Sequence, residues 1–169
     1  MKTSATTKAV HKPKTPKTNK TRAARPSKKT KPSTGSMKPM ECFTRDLSFE
    51  CFLPPHLHPT KDRKLEFQVT AGVRPVAENL SSVNLALRVR IHTPQGAPLA
   101  IAEMIEEGVF EATCKNEREV KRLYVDGAAL VYEVSKKKLA DVLMGAEISP
   151  PLPATVDFAE MWDKNHTRG

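Results

Sequence analysis

The sequence predicts an α+β fold in which a four-stranded antiparallel sheet is followed by one long and one short helix. Three observations lead there. Residues 83–91 alternate apolar and polar without a slip, the period of a half-buried strand. A cluster with Pro and Gly, Thr93 to Pro98, then turns the chain into a second apolar run, Leu99 to Ile105. After Phe110 the apolar spacing changes from two to that of a helix. Strands first and helices after is the order of an α+β domain.

The first strand is expected at Cys42 to Glu50, with Phe43, Leu47 and Phe49 set among polar residues. Prolines at 54, 55 and 59 make the next segment a loop. The second strand places Leu65, Phe67, Val69, Ala71 and Val73 on one face and Glu66, Gln68 and Thr70 on the other, ending at Arg74-Pro75. In the third, Val83, Leu85, Leu87, Val89 and Ile91 form the buried face. The fourth is less ordinary: Ala100, Ala102 and Met104 share one face, while Leu99, Ile101 and Ile105 share the other with Glu103. A strand apolar on both faces needs a second layer or another chain to cover it.

Asn116 with Glu119 three positions on is a capping box, and it starts the long helix. Val120, Leu123, Tyr124, Leu130, Val131, Val134, Leu139, Val142 and Leu143 follow helical spacing. Asp126-Gly127 is expected to break or kink this helix, and Gly145 to cap its end. Pro150 to Pro153 is an extended linker. Asp157 then caps a short helix whose apolar stripe is Phe158, Met161 and Trp162.

Composition divides the chain into 1–40 and 41–169. The first part holds 12 of the 28 Lys and Arg, no Asp or Glu and no aromatic residue. Such a segment buries too little apolar surface to offset its ordering entropy and is expected to be disordered. The remainder carries 16 basic and 19 acidic residues, so the whole-chain charge of +9 belongs to the tail. The tail would contact polyanions non-specifically, as a tether or merely as a solubilising extension, and it lacks aromatics for base stacking. Three cysteines without paired spacing point to a reducing, cytoplasmic location. No apolar run approaches the roughly 18 residues of a membrane span, and no secretory signal pattern is present, so stable membrane insertion is not expected.

Bond-making chemistry has little to stand on. Of the histidines at 11, 56, 58, 92 and 166, His56 and His58 sit two apart in a proline loop, but no Cys-x-x-Cys or second His/Cys group lies at ligand spacing, so neither a metal nor a cofactor is expected. The glycines form no phosphate-cradling loop, and no serine sits in a nucleophile elbow. Cys114 precedes the long helix alone and is read as a small apolar residue. The chain is not expected to be an enzyme.

Several segments, taken in order, resemble the SecB family of bacterial protein-export chaperones. Arg45-Asp46-Leu47-Ser48-Phe49-Glu50 is similar to the family's Lys-Asp-(Leu/Ile)-Ser-Phe-Glu, and Pro55-His56 to the Pro-His that follows it. Asn84 to Val89 fits the third strand; Ile101-Ala102-Glu103-Met104 and Gly108-Val109-Phe110 fit the fourth. Pro150-Pro151-Leu152 and Val156-Asp157-Phe158 fit the entry to the last helix. The family's Leu-Phe-Pro-Tyr-Ala-Arg reads Val131-Tyr132-Glu133-Val134-Ser135-Lys136 here, without its proline.

The resemblance implies a SecB-like sheet with a long and a short helix, assembled as a homotetramer, a dimer of dimers. It implies a holdase that binds unfolded preproteins and passes them to the SecA motor. Carried over by position, the SecA-facing patch falls on Asp46, Glu50, Ile101 and Glu103. Candidates for the client groove are Leu65, Phe67, Val69, Phe158, Met161 and Trp162, each of which fits a core role equally well by spacing. Ala102 and Met104 match positions near the sheet interior and subunit contacts. Two other readings stand beside this one: a SecB-like chaperone devoted to one client such as an antitoxin, and an adaptor tethered by its tail to nucleic acid or the ribosome.

Overall fold

The computed structural model describes residues 37–57 and 60–166; most of the basic tail, residues 1–36, lies outside them. Four strands, β1 (Lys38–Cys51), β2 (Lys64–Ala77), β3 (Leu80–His92) and β4 (Pro98–Glu111), precede the helices. These are α1 (Glu117–Arg122), a π-helical turn over Leu123–Gly127, α2 (Ala128–Gly145) and α3 (Phe158–His166). The strands form one antiparallel sheet in the order β1-β4-β3-β2, so β1 and β2 are its edges.

β1 is longer than its side-chain pattern indicates. Pairing carries it back to Lys38, opposite Glu111, ahead of the boundary that composition places at 41. β2 likewise runs past Pro75 to Ala77, which an edge strand with a register shift permits. Shifts in β1 fall between Pro39 and Glu41 and between Thr44 and Asp46. A bulge reverses which way the following side chains point. Phe43 therefore lies on the opposite face from Leu47 and Phe49, not with them as simple alternation implies.

The inner face carries Val83, Leu85, Leu87, Val89 and Ile91 of β3 and Ala100, Ala102, Met104 and Phe110 of β4, all buried. α2 packs over β3 and β4 and buries Val131, Tyr132, Leu139 and Leu143. Two glycines let it come close. A Cβ on Gly108 would sit 2.5 Å from Val131 Cγ2, and one on Gly127 would sit 2.9 Å from Val83 Cγ2. Asp126-Gly127 therefore does not break the helix. The chain stays helical through a π turn, with Gly127 pressed against β3. Leu130 and Val134 lie on the exposed side of α2.

The caps follow the sequence at the starts of α1 and α3 and depart from it at the end of α2. Asn116 Oδ1 accepts from the Glu119 N–H at 3.0 Å, and Asp157 Oδ1 from the Glu160 N–H at 2.8 Å. Gly145, expected to cap α2, is its last helical residue. The left-handed position is Glu147, φ 58°, in a Schellman arrangement: Ile148 N–H donates to Leu143 O at 2.8 Å and Glu147 N–H to Met144 O at 3.0 Å. Leu143 and Ile148, both buried, supply the apolar contact that usually accompanies it. No helix among the described residues is long and apolar enough to cross a membrane.

Candidate functional site

Strand parity sends Ile101, Glu103, Ile105 and Glu107 of β4 to the face opposite the buried one. Register then arranges neighbours in rows. Glu50 and Arg90 flank Ile101, Ser48 and Arg88 flank Glu103, and Asp46 and Ala86 flank Ile105. The four residues expected to face the motor are thus adjacent on one face. The bulge after Thr44 makes this so, since without it Asp46, Ser48 and Glu50 would point inward with Thr44.

The patch is not uniformly available. Asp46 and Glu50 are exposed, and no ion pair engages either among the described residues. Glu103 is half-buried and held by the Arg88 guanidinium through both Nε and Nη2. A partner approaching Glu103 meets a carboxylate already neutralised.

Two buried carboxylates escape any reading of the sequence as alternating polar and apolar. Glu106 and Glu107 are adjacent and point to opposite faces, yet both are buried, because each recruits charge from other elements. On the inner face Glu106 accepts from Thr44 Oγ1 at 2.8 Å, Cys42 Sγ at 3.3 Å and Lys138 Nζ of α2 at 2.5 Å. Burial, then the hydrogen bond to Glu106 and that residue's charge, push the Cys42 thiol up to about 12. On the outer face Glu107 meets Arg74 of β2 at 2.5 Å and Arg45 of β1 at 3.3 Å. Burial alone disfavours its charge, but hydrogen bonding and the two arginines outweigh it and hold the carboxyl below the ordinary range. One pair of neighbouring residues on β4 thereby ties the sheet to α2 and to both edges.

The client-groove candidates divide. Leu65, Phe67 and Val69 are half-buried, since β2 is an edge that the helices cover only in part. Phe158 and Trp162 are core residues, 2% and 6% exposed, while Met161 is half-buried. Tyr132 connects the two groups. Its ring meets Phe67 and Phe158 edge-on, each at 6.2 Å between centroids, and its hydroxyl donates to Pro153 O at 2.6 Å. Beside Phe158 an open cleft of about 330 Å³ is lined by Val125, Ala129 and Val156. Trp162 packs instead on Tyr124 at 5.1 Å and stacks on His166 at 3.6 Å. Ala102 and Met104, expected near the sheet interior and subunit contacts, lie in the interior of the sheet's packed face, buried within one chain. Exposed apolar surface lies elsewhere, and includes Met40, Phe43 and Leu47 of β1, Ile105 of β4 and Leu130, Val134 and Met144 of α2. No group of His, Cys, Asp or Glu that could hold a metal occurs among the described residues.

Comparison with known proteins bears on this architecture. No curated protein matches the sequence. Among solved structures, a SecB-like chaperone of Mycobacterium tuberculosis, determined in complex with a peptide from an antitoxin, superposes with a TM-score of 0.60 at 11% identity. That match covers 71% of this chain and 90% of that one. A protein of unknown function from Streptococcus agalactiae aligns with a TM-score of 0.34 at 14% identity, over 73% of this chain and 98% of that one. The family model of the preprotein translocase subunit SecB matches residues 29–168. With a match over most of its length and a SecB-like fold, the chain belongs to the SecB family, a family of chaperones and not of enzymes.

Proposed function

We propose that the protein is a cytoplasmic holdase that binds unfolded preproteins in extended form and delivers them to the SecA motor. The observation that carries this is the half-clothed β2 margin. Leu65, Phe67 and Val69 form an apolar lane along a sheet edge, and Tyr132 links it through Phe67 to Phe158, which lines a cleft. An edge strand offers unpaired backbone groups to any extended segment, and an apolar lane rewards apolar side chains without reading their order. Binding the unfolded state holds it by mass action and needs no chemistry. Asp46, Glu50 and Ile101 on the outer face suit a basic docking partner, with Glu103 reached only by displacing Arg88. The exposed apolar residues of β1 and α2 suit a homotetramer built as a dimer of dimers.

The test is aggregation of an unfolded preprotein with the full chain present. Suppression that Phe67→Ser weakens several-fold, and that Asp46→Lys leaves intact while weakening SecA binding, is the expected pattern. A chain that suppresses nothing refutes the proposal. A second reading, a chaperone devoted to one client such as an antitoxin, is favoured by the engagement of Glu103 by Arg88 and by the antitoxin peptide on the M. tuberculosis relative. Under it Asp46→Lys has no effect on any step, and one client is preferred over unrelated unfolded chains.

A further inference from the structure

We infer that α2 pairs through its exposed seam with α2 of a second copy, antiparallel about a two-fold axis level with Leu139. The seam is Leu130, Val134, Lys137, Asp141 and Met144, on the side of α2 turned away from the buried Val131, Ser135, Leu139 and Leu143. Leu130, Val134 and Met144 are 47%, 39% and 63% exposed, so within one chain this apolar row has no cover. Its steps of four and three residues are those by which one helix meets another. Lys137 and Asp141 interrupt the row one turn apart, and neither makes an ion pair among the described residues. The neighbouring lysines are engaged, Lys136 by Glu133 and Lys138 by the buried Glu106.

Charge selects the arrangement. Parallel helices in register would set Lys137 against the partner's Lys137 and Asp141 against the partner's Asp141. An antiparallel pair centred on Lys137 would bring Leu130 to the partner's Met144. It would again oppose two lysines, however, and would set Asp141 against the partner's Glu133. Moving the centre to Leu139 gives a self-complementary contact, in which Lys137 meets the partner's Asp141 twice over and Val134 meets the partner's Met144. Ala140, beside the axis, is small enough for the helices to approach to about 8 to 10 Å. A single helix of 18 residues is about 27 Å long, and one pair of them buries less than the roughly 1,200 Å² of a lasting interface. The pair therefore joins copies that a further contact already holds. It rests on the dimer-of-dimers reading above, to which it adds the register of one interface.

Native mass spectrometry of the full chain at fixed concentration tests the pairing. Lys137→Glu and Asp141→Lys each set like charges together at both contacts, and each alone should halve the copy number of the assembly. Mixed in equal amounts the two variants should recover it, because each supplies the charge that the other needs. An effect confined to one helix, where the two residues stand four apart, would not be recovered by mixing. A second measurement is oxidative cross-linking in a chain with Cys51→Ser, which removes the exposed thiol. There Val134→Cys together with Met144→Cys should join copies, and Val134→Cys alone should not, since the two copies of position 134 stand about 15 Å apart along the helices. An assembly whose size neither charge variant changes, a mixture that recovers nothing, or cross-links from Val134→Cys alone would each overturn the pairing and leave the dimer-of-dimers reading standing. A parent chain that stays single at every concentration would overturn both.

Discussion

Replacing Tyr132 by Phe and by Ala separates what its hydroxyl and its ring contribute to the packing between β2 and α3. The hydroxyl donates at 2.6 Å to Pro153 O, a carbonyl in the linker that sets α3 in place. Its loss removes one hydrogen bond and leaves that carbonyl short of a partner, a cost of about 1 kcal/mol. The ring is 2% exposed and meets Phe67 of β2 and Phe158 of α3 edge-on. Truncation to Ala removes a buried aromatic side chain and both contacts, costing about 3 to 5 kcal/mol. Since domains of this size are stable by about 5 to 15 kcal/mol, Tyr132→Ala removes a large part of the total. Urea unfolding at fixed chain concentration, followed by far-ultraviolet circular dichroism and by the fluorescence of the single tryptophan, Trp162 of α3, reads both effects. Tyr132→Phe should lower both midpoints together by about 0.5 M, taking a slope of about 2 kcal/mol per M. Tyr132→Ala should lower them much further and move the tryptophan transition ahead of the dichroism, because α3 loses its link to the sheet. Coincident transitions with Tyr132→Ala no worse than Tyr132→Phe would refute the role given to the ring.

Three further outcomes follow from the buried groups and the helix end. Lys138→Met strands the buried Glu106 carboxylate on Thr44 and Cys42 and should cost about 2 kcal/mol in urea unfolding, below the 3 to 5 of a wholly buried pair because Lys138 is 39% exposed. The Cys42 thiol keeps its proton to about 12 in the folded chain, whereas an unfolded thiol ionises near 9. Above about pH 9 the unfolded state therefore binds fewer protons, and stability should fall as pH rises from about 9 to 12, a slope that Cys42→Ala reduces in midpoints measured against pH. Glu147→Gly relieves a left-handed non-glycine residue at the end of α2 and should raise stability by about 1 kcal/mol in the same assay.

Much of this architecture is legible in the residues, and what is not has identifiable causes. Period two in β3 reads correctly because one face is packed and the other solvated, so composition follows exposure residue by residue. β1 reads less well because a backbone bulge, invisible to composition, reverses its faces midway and separates Phe43 from Leu47. Gly127 looks like a helix breaker by propensity, but its missing side chain is what lets the π turn press against Val83. Glu106 and Glu107 read as solvated polar residues, because the arginines and the lysine that bury them lie 32 to 33 and 62 residues away in sequence. Of the expected outer patch, parity pairs Asp46 with Glu50 and Ile101 with Glu103, whereas bringing the two pairs to one face depends on the bulge after Thr44, and the engagement of Glu103 by Arg88 on which residue of β3 lies opposite it.

Under the proposed function the chain faces a conflict, since an edge open to a client would also be open to another copy without limit. The strands here resolve it locally. β1 runs for 14 residues with Met40, Phe43 and Leu47 exposed, which by composition is an aggregation hazard. Lys38, Glu41, Arg45, Asp46 and Glu50 interrupt that surface, and Pro39 and two register shifts interrupt its ladder. On the opposite edge β2 keeps its apolar lane at Leu65 to Val69 but carries Pro75 and a shift near its end. Each device limits the length over which a flat strand can add, without removing the apolar side chains that a short extended segment would contact. If that division holds, replacing Pro75 by Val should leave the fold intact, extend the free ladder of β2, and turn the protein towards concentration-dependent oligomers beyond its native assembly in light scattering. An unchanged size distribution would mean that the charges, and not the interrupted ladder, keep the edge in check.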